Sequence, residues 1–150
     1  MEERSAGPHP RAEVLAAFEH TRAAQDADDW NAYCDLLTED AVYVEHHFGT
    51  FRGREAIRAW LVPVMEPLRG WTYPTDWCVI EGDRLVFLWR NRLPGRRPDG
   101  SPYEFAGITT MVYAGGGRFA YQEDVYNFEE TRRVMAEWAR DHGPGGPPPT

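Results

Sequence analysis

A run of alternating side chains at residues 41–47 constrains the fold more than any other feature of the chain. Successive side chains of an extended strand point to opposite faces, so Tyr43, Glu45 and His47 share one face, and two valines and His46 share the other. A phenol, a carboxylate and an imidazole side by side are unusual against an apolar core, because buried polar groups need hydrogen-bond partners. The pattern is better explained by a strand that lines a pocket.

The adjacent histidines raise the question of a metal site. Only one of His46 and His47 can join Glu45, because neighbouring strand residues face opposite ways. The sequence offers no spaced set of His or Cys partners of the kind that zinc requires, so no metal is expected. We expect His47 to be a hydrogen-bonding neighbour of Glu45 or of a ligand, or else to cap the strand end in solvent. No glycine-rich phosphate loop or dinucleotide fingerprint is present, so no cofactor is predicted.

The rest of the chain reads as helices first and strands second. Apolar residues recur at helical spacing on both sides of the central strand, and Pro63 is expected to kink or end the third helix. The second half is aromatic and β-branched, with a glycine-rich hairpin turn at 114–117. The predicted elements are helices at about 10–25, 29–37 and 54–70, strands at 41–47, 71–80, 84–93, 103–113 and 118–127, a final helix at 128–141, and loops at 48–53 and 94–102.

This order predicts an α+β fold, in which about three N-terminal helices cover a curved antiparallel sheet and leave an opening at one end of the cone. We expect one domain at 10–142, a loose arm at 1–9, and a disordered glycine- and proline-rich tail at 143–150. Aromatic residues make up 13% of the chain, which requires a broad core or an apolar ligand cavity. Trp60, Trp71 and Trp77 are expected in the core or on a dimer surface.

The net charge of -8 argues against a nucleic-acid or anionic-membrane surface, since both need a basic face. The arginines at 90–97 lie in a stretch rich in Pro and Gly, which indicates solvated charge on an exposed loop. No apolar run reaches the length of a membrane helix, and no apolar leader follows the polar N-terminus. Cys34 and Cys78 are expected to be small buried hydrophobes. A reduced, cytoplasmic protein is the resulting prediction.

Three stretches resemble a known group of proteins: Asp-Asp-Trp at 28–30, Leu-Thr-Glu-Asp-Ala-Val-Tyr-Val at 37–44, and Gly-Thr-Phe-Arg-Gly-Arg-Glu-Ala-Ile at 49–57. With the order of elements, they resemble the SnoaL-like polyketide cyclase and ketosteroid isomerase group of the NTF2-like superfamily. The resemblance covers roughly 14–127. It implies an NTF2-like cone, a homodimer formed through the open sheet face, and a small, mostly apolar ligand. It does not select one activity, because the superfamily hosts many.

The resemblance also implies roles for particular residues. In ketosteroid isomerases the general base lies a few positions into the first strand, which matches Glu45, whereas the oxyanion-hole Tyr and protonated Asp fall near Thr21 and Thr109 and do not match. In SnoaL-like cyclases an acid/base Asp comes from the last strand, which matches Asp124. The same register places Gln122, Asp124 and Tyr126 inward and Glu123 outward.

The sequence does not decide which face of the predicted strand at 84–93 points into the pocket. Either Trp89 and Asn91 point inward, with the amide as a carbonyl clamp, or Arg90 and Arg92 do so and need a carboxylate partner. We favour the first arrangement. The predicted substrate-binding residues are Tyr43, His47, Trp89, Asn91, Thr109, Met111 and Tyr126.

Two carboxylates in one dry cavity cannot both ionise cheaply, so one is expected to act as acid and the other as base. The predicted function is general acid–base chemistry on a carbonyl-bearing, mostly apolar substrate. Glu45 would remove a proton next to the carbonyl, and Asp124 with Asn91 or Tyr43 would stabilise or protonate the enolate, as in cyclisation, isomerisation or dehydration. The alternatives are a non-catalytic domain that binds an apolar molecule, and an epoxide hydrolase with Arg90 or Arg92 between two pocket carboxylates.

Overall fold

The computed structural model describes residues 8–143 of the chain. The predicted arm at 1–9 lies outside the described residues except for Pro8 and His9, and the predicted tail lies outside them except for Gly143. The elements are α1 (Arg11–Asp26), α2 (Trp30–Asp35), β1 (Leu37–Glu45), β2 (Gly49–Arg52), α3 (Arg54–Met65), a 3₁₀ turn (Glu66–Leu68), β3 (Thr75–Glu81), β4 (Arg84–Arg96), β5 (Pro102–Gly115), β6 (Arg118–Tyr126) and α4 (Phe128–His142).

The strands form one sheet of six in the order β2-β1-β6-β5-β4-β3. Strand β1 is parallel to β6, and the other neighbours are antiparallel. The register shifts in four ladders: within β1 and within β5 where each pairs with β6, and near the ends of β3 and β4. Such irregularities bend strands and increase their twist. The helices pack on the inner face of this curved sheet, which confirms the predicted α+β architecture.

Local sequence explains where the helices begin. The carboxylate of Asp29 caps α2 by accepting the N–H of Ala32 at 2.9 Å, and the side chain of Asn127 caps α4 by accepting the N–H groups of Glu129 and Glu130. Helix α3 continues through Pro63 and ends two residues later, where the 3₁₀ turn replaces it. A proline removes one donor and crowds the preceding turn, so it weakens the end of this helix without stopping it abruptly.

Two predictions about the region around β1 were wrong. The second helix ends at Asp35 because the carbonyl of Leu36 accepts the N–H of Phe119 at 2.9 Å, and this bond ties the chain to β6. Leu37 therefore starts the strand instead of ending the helix. The predicted loop at 48–53 contains β2, which pairs antiparallel with the end of β1. A four-residue, largely exposed edge strand has too little apolar alternation to be recognised from sequence.

The core lies between the inner sheet face and the helices, and its largest fully buried side chains include Tyr103, Tyr113 and Phe119. Cys34 is buried and Cys78 is partly buried, and neither forms a disulfide. Burial raises the pKa of the Cys34 thiol to about 11, as expected of an inert, packed cysteine. Among the described helices, none has the length and apolar character needed to cross a membrane.

Candidate active site

A cavity of about 660 Å³ opens between the inner face of the sheet and helices α2, α3 and α4. A volume of this size suits a ligand with several rings, because small-molecule sites typically measure about 300–1,000 Å³. Its walls are mainly aromatic, and the polar groups are concentrated on β1, β5 and β6. The aromatic lining residues are Trp30, Tyr33, Tyr43, Phe48, Trp60, Trp71, Tyr73, Phe87, Trp89, Phe105, Tyr126 and Phe128.

The polar groups meet because of the strand register. Glu45 on β1 is the register partner of Asp124 on β6, and Asp124 is in turn the partner of Thr109 on β5. Partner residues on neighbouring strands place their side chains on the same face of the sheet. The two carboxylates predicted from sequence therefore lie on adjacent strands and line the same cavity.

Glu45 ends β1 and is only 4% exposed. Its two carboxylate oxygens accept backbone N–H groups of the following turn, from His47 at 3.2 Å and from Phe48 at 2.8 Å. These bonds offset part of the cost of burying a carboxylate. An ionised carboxylate has about four acceptor positions, so this arrangement leaves capacity for a proton or a ligand.

Asp124 is held by three side-chain donors. The hydroxyl of Thr109 donates to Oδ1 at 2.7 Å, Nε2 of Gln122 donates to the same oxygen at 3.2 Å, and the phenol of Tyr43 donates to Oδ2. Burial raises the pKa of Asp124, the three donors oppose that shift, and the nearby Glu45 adds to it, so that the net direction is upward. Burial thus favours the protonated form of Asp124 more than in an aspartate exposed to water.

Trp89 supports this arrangement from β4. Its indole Nε1–H donates to the hydroxyl of Thr109 at 2.7 Å, which directs the Thr109 proton toward Asp124. The indole lies flat across Gly107, where a Cβ atom would come within 2.1 Å of the ring. A glycine at this register partner of Trp89 is therefore required for the ring to reach Thr109.

Tyr126 and His47 complete the region around Glu45. Burial raises the pKa of the Tyr126 phenol, and the nearby carboxylates of Glu45 and Asp124 add to that shift. The ring of His47 stacks on Phe128 with centroids 3.7 Å apart, and its contact with Glu45 is made by its backbone N–H. His46 points to the other side of the strand, where it pairs with Glu123 at 2.8 Å. The described residues contain no group of three or more His, Cys, Asp or Glu side chains suited to a metal ion.

Most residues that the sequence assigned to the site line the cavity. They are Tyr43, Glu45, His47, Trp89, Asn91, Thr109, Asp124 and Tyr126. Met111 does not, and its assignment is corrected: it is completely buried and packs in the core. Residue alternation identified its face correctly, but the inner face of β5 extends past the cavity into the core.

The choice of face on β4 is settled by the ion pairs. Trp89 and Asn91 line the cavity, whereas Arg90 pairs with Asp76 at 2.7 Å and Arg92 pairs with Glu104 at 2.8 Å on the other face. Neither arginine reaches Glu45 or Asp124. The arrangement that an epoxide hydrolase would need through either of these arginines therefore does not form.

Several lining residues were not assigned to the site from sequence. Trp60 and Trp71 line the cavity, although core or dimer positions were expected, and Trp77 lies exposed on the outer sheet face. Tyr33 was also missed, and Gln122 was predicted to point inward but was not assigned to the site. The helical spacing of Trp30 and Tyr33, and the period of two that links Gln122 to Asp124, were the available signals. Thr21, the position matched to the isomerase tyrosine, donates to the carbonyl of Phe18 in its own helix and does not line the cavity.

The family of the chain follows from comparison with known proteins. The sequence model of the SnoaL-like domain matches residues 14–122, which is most of the chain. The protein belongs to the SnoaL-like domain family. The match includes β1, β5 and most of β6 up to Gln122, so it covers Glu45 and Thr109 and stops two residues before Asp124. No curated protein matches the chain.

Solved structures show that this SnoaL-like domain has the fold of NTF2-like proteins. A proposed SnoaL-like polyketide cyclase from Shewanella denitrificans OS-217 is 16% identical, with a TM-score of 0.68, covering 85% of this chain and 99% of that one. TerC, co-crystallised with polyporic acid, is 16% identical with a TM-score of 0.67, covering 83% and 98%. An NTF2-like protein from Burkholderia pseudomallei K96243 is 18% identical with a TM-score of 0.65, covering 82% and 97%. At these identities the similarity establishes the fold and no activity.

Proposed function

We propose that this SnoaL-like protein is a small-molecule enzyme that uses general acid–base chemistry on a carbonyl-bearing, mostly apolar substrate. The observation that carries the proposal is the placement of a buried carboxylate, Glu45, and a partly buried one, Asp124, side by side in one aromatic cavity. Their environments differ, because two backbone N–H groups hold Glu45 and side-chain donors hold Asp124. Acid and base assignments require this kind of difference between two titratable groups.

In the proposed reaction Glu45 accepts a proton from the carbon next to the substrate carbonyl. The electron pair of that C–H bond forms the C=C bond of an enolate, and the carbonyl π electrons move to oxygen. Asp124 in its protonated form donates to that oxygen together with Asn91, while the Tyr43 hydroxyl, expected from sequence as an alternative donor, donates to Asp124 itself. Return of the proton to a different carbon gives isomerisation, attack of the enolate carbon on a second carbonyl gives cyclisation, and loss of a β-hydroxyl gives dehydration.

Exchange of substrate protons for deuterium tests this step without knowledge of the natural substrate. Aryl ketones and cyclic diketones would be incubated with the protein in D₂O, and deuterium at the carbon next to the carbonyl would be followed by NMR. We expect catalysed exchange in the wild type and a decrease of about 10²-fold or more in Glu45→Gln and Asp124→Asn, the range for one acid or base group. Glu123→Gln is the matched control, because Glu123 lies beside Asp124 but bonds with Tyr121 and His46 on the outer face.

A non-catalytic domain that binds an apolar molecule is the second candidate. One observation favours it: both oxygens of Glu45 accept N–H groups of the turn at 46–48, so this carboxylate also has a purely structural use. Ketones that quench tryptophan fluorescence on binding, with no exchange above the buffer rate for any of them, would support binding without catalysis.

We also propose a homodimer formed through the outer face of the sheet. Register partners Trp77, Leu88, Ile108 and Val125 form an apolar row across β3, β4, β5 and β6. Trp77 and Val125 are 45% and 53% exposed in the single chain. A second copy related by a two-fold axis would cover this row with the same row of its own. A cytoplasmic location remains a prediction from the sequence.

A further inference from the structure

The hydrogen bonds around Asp124 continue to Tyr33, a residue with no part in the proposed reaction. The phenol of Tyr33 on α2 donates to Oε1 of Gln122 at 2.7 Å. Nε2 of the same amide donates to the phenol oxygen of Tyr43 at 2.8 Å and to Oδ1 of Asp124 at 3.2 Å. Tyr33 and Gln122 are both buried, so water does not replace these partners readily.

The Gln122 amide is turned with Oε1 toward Tyr33 and Nε2 toward Asp124, and the hydrogen bond from the Tyr33 hydroxyl to Oε1 stabilises this orientation. An amide accepts at one end and donates at the other, whereas an ionised carboxylate can only accept. With Oε1 held by Tyr33, the NH₂ end faces Asp124. In the opposite orientation a carbonyl oxygen would face Asp124, and whenever Asp124 is ionised two acceptors would oppose each other without a proton between them, which disfavours the ionised form.

This orientation also directs Tyr43. Because the Tyr43 oxygen accepts the N–H of Gln122, its own proton is directed to Oδ2 of Asp124. Separately, Trp89 donates a hydrogen bond to Thr109, and Thr109 donates one to Oδ1 of Asp124. Two of the three donors to Asp124, namely Gln122 and Tyr43, thus depend on one amide. In a buried site of low polarity each of these bonds is stronger than it would be in water.

We propose that Tyr33 is a positioning residue for Asp124 and acts through the orientation of the Gln122 amide. The proposal rests on the proposed function only for its catalytic consequence, since the bonds are present in the unliganded protein. The titratable groups that face Asp124 are Glu45 and Tyr43 from β1, Tyr33 from α2 and Tyr126 from its own strand. Strand β5 contributes the uncharged Thr109.

The test is a carboxyl ¹³C NMR titration of protein labelled at aspartate, with the Asp124 signal assigned by its loss in Asp124→Asn. Tyr33→Phe removes one hydroxyl and leaves the ring. Because the Gln122 bond lowers the pKa of Asp124, loosening it should raise that pKa, by about 0.5–1 unit for part of one hydrogen bond to a charged group. Tyr73→Phe is the control, because Tyr73 is another buried tyrosine of the cavity wall whose hydroxyl has no partner among the described residues.

The Gln122→Met variant tests whether Tyr33 affects the pKa of Asp124 through the Gln122 amide or by another route. It should raise the Asp124 pKa at least as far as Tyr33→Phe does, and adding Tyr33→Phe to it should then have no further effect. An unchanged titration in Tyr33→Phe, a shift of equal size in Tyr73→Phe, or additive shifts in the double variant would each overturn the proposal. The titration uses no substrate, so its outcome is independent of whether ketone exchange is catalysed. Where exchange is catalysed, Tyr33→Phe should move its pH profile.

Discussion

Asp124 shows how burial and hydrogen bonding compete at a single side chain. Removal from water favours the protonated carboxyl, while the donors from Thr109, Tyr43 and Gln122 favour the ionised one. Burial has the larger effect and the balance is upward, which brings the group nearer to the pH at which an acid catalyst is useful. The raised pKa of Asp124 also makes the free energy of unfolding depend on pH, and this can be measured without a substrate.

The pKa of Asp124 is higher in the folded protein than in the unfolded chain, so protonation of Asp124 stabilises the fold. This stabilisation is fully present below the unfolded pKa, about 3.9. It is lost as the pH rises through the folded pKa. The advantage of the wild type over Asp124→Asn in free energy of unfolding should therefore decrease from pH 4 upward, as measured by denaturant titration.

Asp99→Asn provides a control of opposite sign for that measurement. Hydrogen bonds from Ser101 lower the pKa of Asp99, so its contribution is present above the unfolded pKa and is lost as the pH falls through the folded one. A difference between wild type and Asp124→Asn that stays constant with pH, or that grows, would contradict the raised pKa of Asp124.

Alternation along a strand was enough to predict which face of the sheet each site residue lies on. It did not predict whether a residue on that face lines the cavity or packs in the core. Tyr43, Glu45 and Asp124 face the cavity, as a period of two predicts. Met111 obeys the same period and lies on the same face, yet it is buried in the core. The face of a residue follows from its own strand, whereas its distance from the cavity depends on which helices cover that part of the sheet.

At the scale of elements, α4 is attached firmly at one end and closes the cavity with the other. Toward its C-terminus, Glu137 accepts two bonds from Arg97 at 2.8 Å, and Trp138 Nε1 donates to the carbonyl of Pro94 at 2.7 Å. Toward its N-terminus, Phe128 and Met135 line the cavity. The attachment of this helix thus depends on the strand end and loop at 94–97.

Removal of the attachment should loosen the whole helix. In Glu137→Ala we expect amide hydrogen exchange over 128–142 to become several-fold faster, because the local opening of the helix no longer breaks two charge-assisted bonds. Exchange in β5 and β6 should stay unchanged, as followed by mass spectrometry. Arg133→Ala is the matched control, since its side chain is exposed and its nearest carboxylate is on its own helix at 3.8 Å. Equal exchange in both variants would show that the pair between Arg97 and Glu137 does not hold α4 in place.

Sequence periodicity located the helices and most strands, because each of them buries one face. It missed β2, whose four residues pair with β1 at the sheet edge and are largely exposed. It also placed Leu37 on a helix, although the bond between Leu36 and Phe119 starts a strand there. Both errors concern backbone pairing with a distant partner, which side-chain pattern reports only indirectly.

At the scale of the molecule, the two faces of the sheet differ in what covers them. The helices cover the inner face and leave the cavity, while the row of Trp77, Leu88, Ile108 and Val125 remains open on the outer face. Exposed apolar side chains that are contiguous across strands indicate an interaction site more strongly than single ones do. A second copy of the chain is the occupant we propose.

A charge in this row should prevent association. We expect Ile108→Glu and Val125→Glu to elute as monomers in size-exclusion chromatography with light scattering, under conditions where the wild type is a dimer. An unpaired carboxylate buried in such an interface costs several kcal/mol in order of magnitude. Leu15→Glu, at an exposed apolar position of α1, should leave the dimer intact. A monomeric wild type at all concentrations, or dimers in all three variants, would exclude the outer face as the interface.

The sequence by itself determined the α+β order, the inward faces of β1 and β6, and the presence of two carboxylates on them, because these follow from local periodicity and chain order. Only the tertiary structure decided that β1 runs parallel to β6 and brings Glu45 beside Asp124. It also decided that Tyr33 reaches Gln122 across 89 positions of chain. The pairing of distant segments depends on the free energy of the whole packed molecule, and no local pattern contains it.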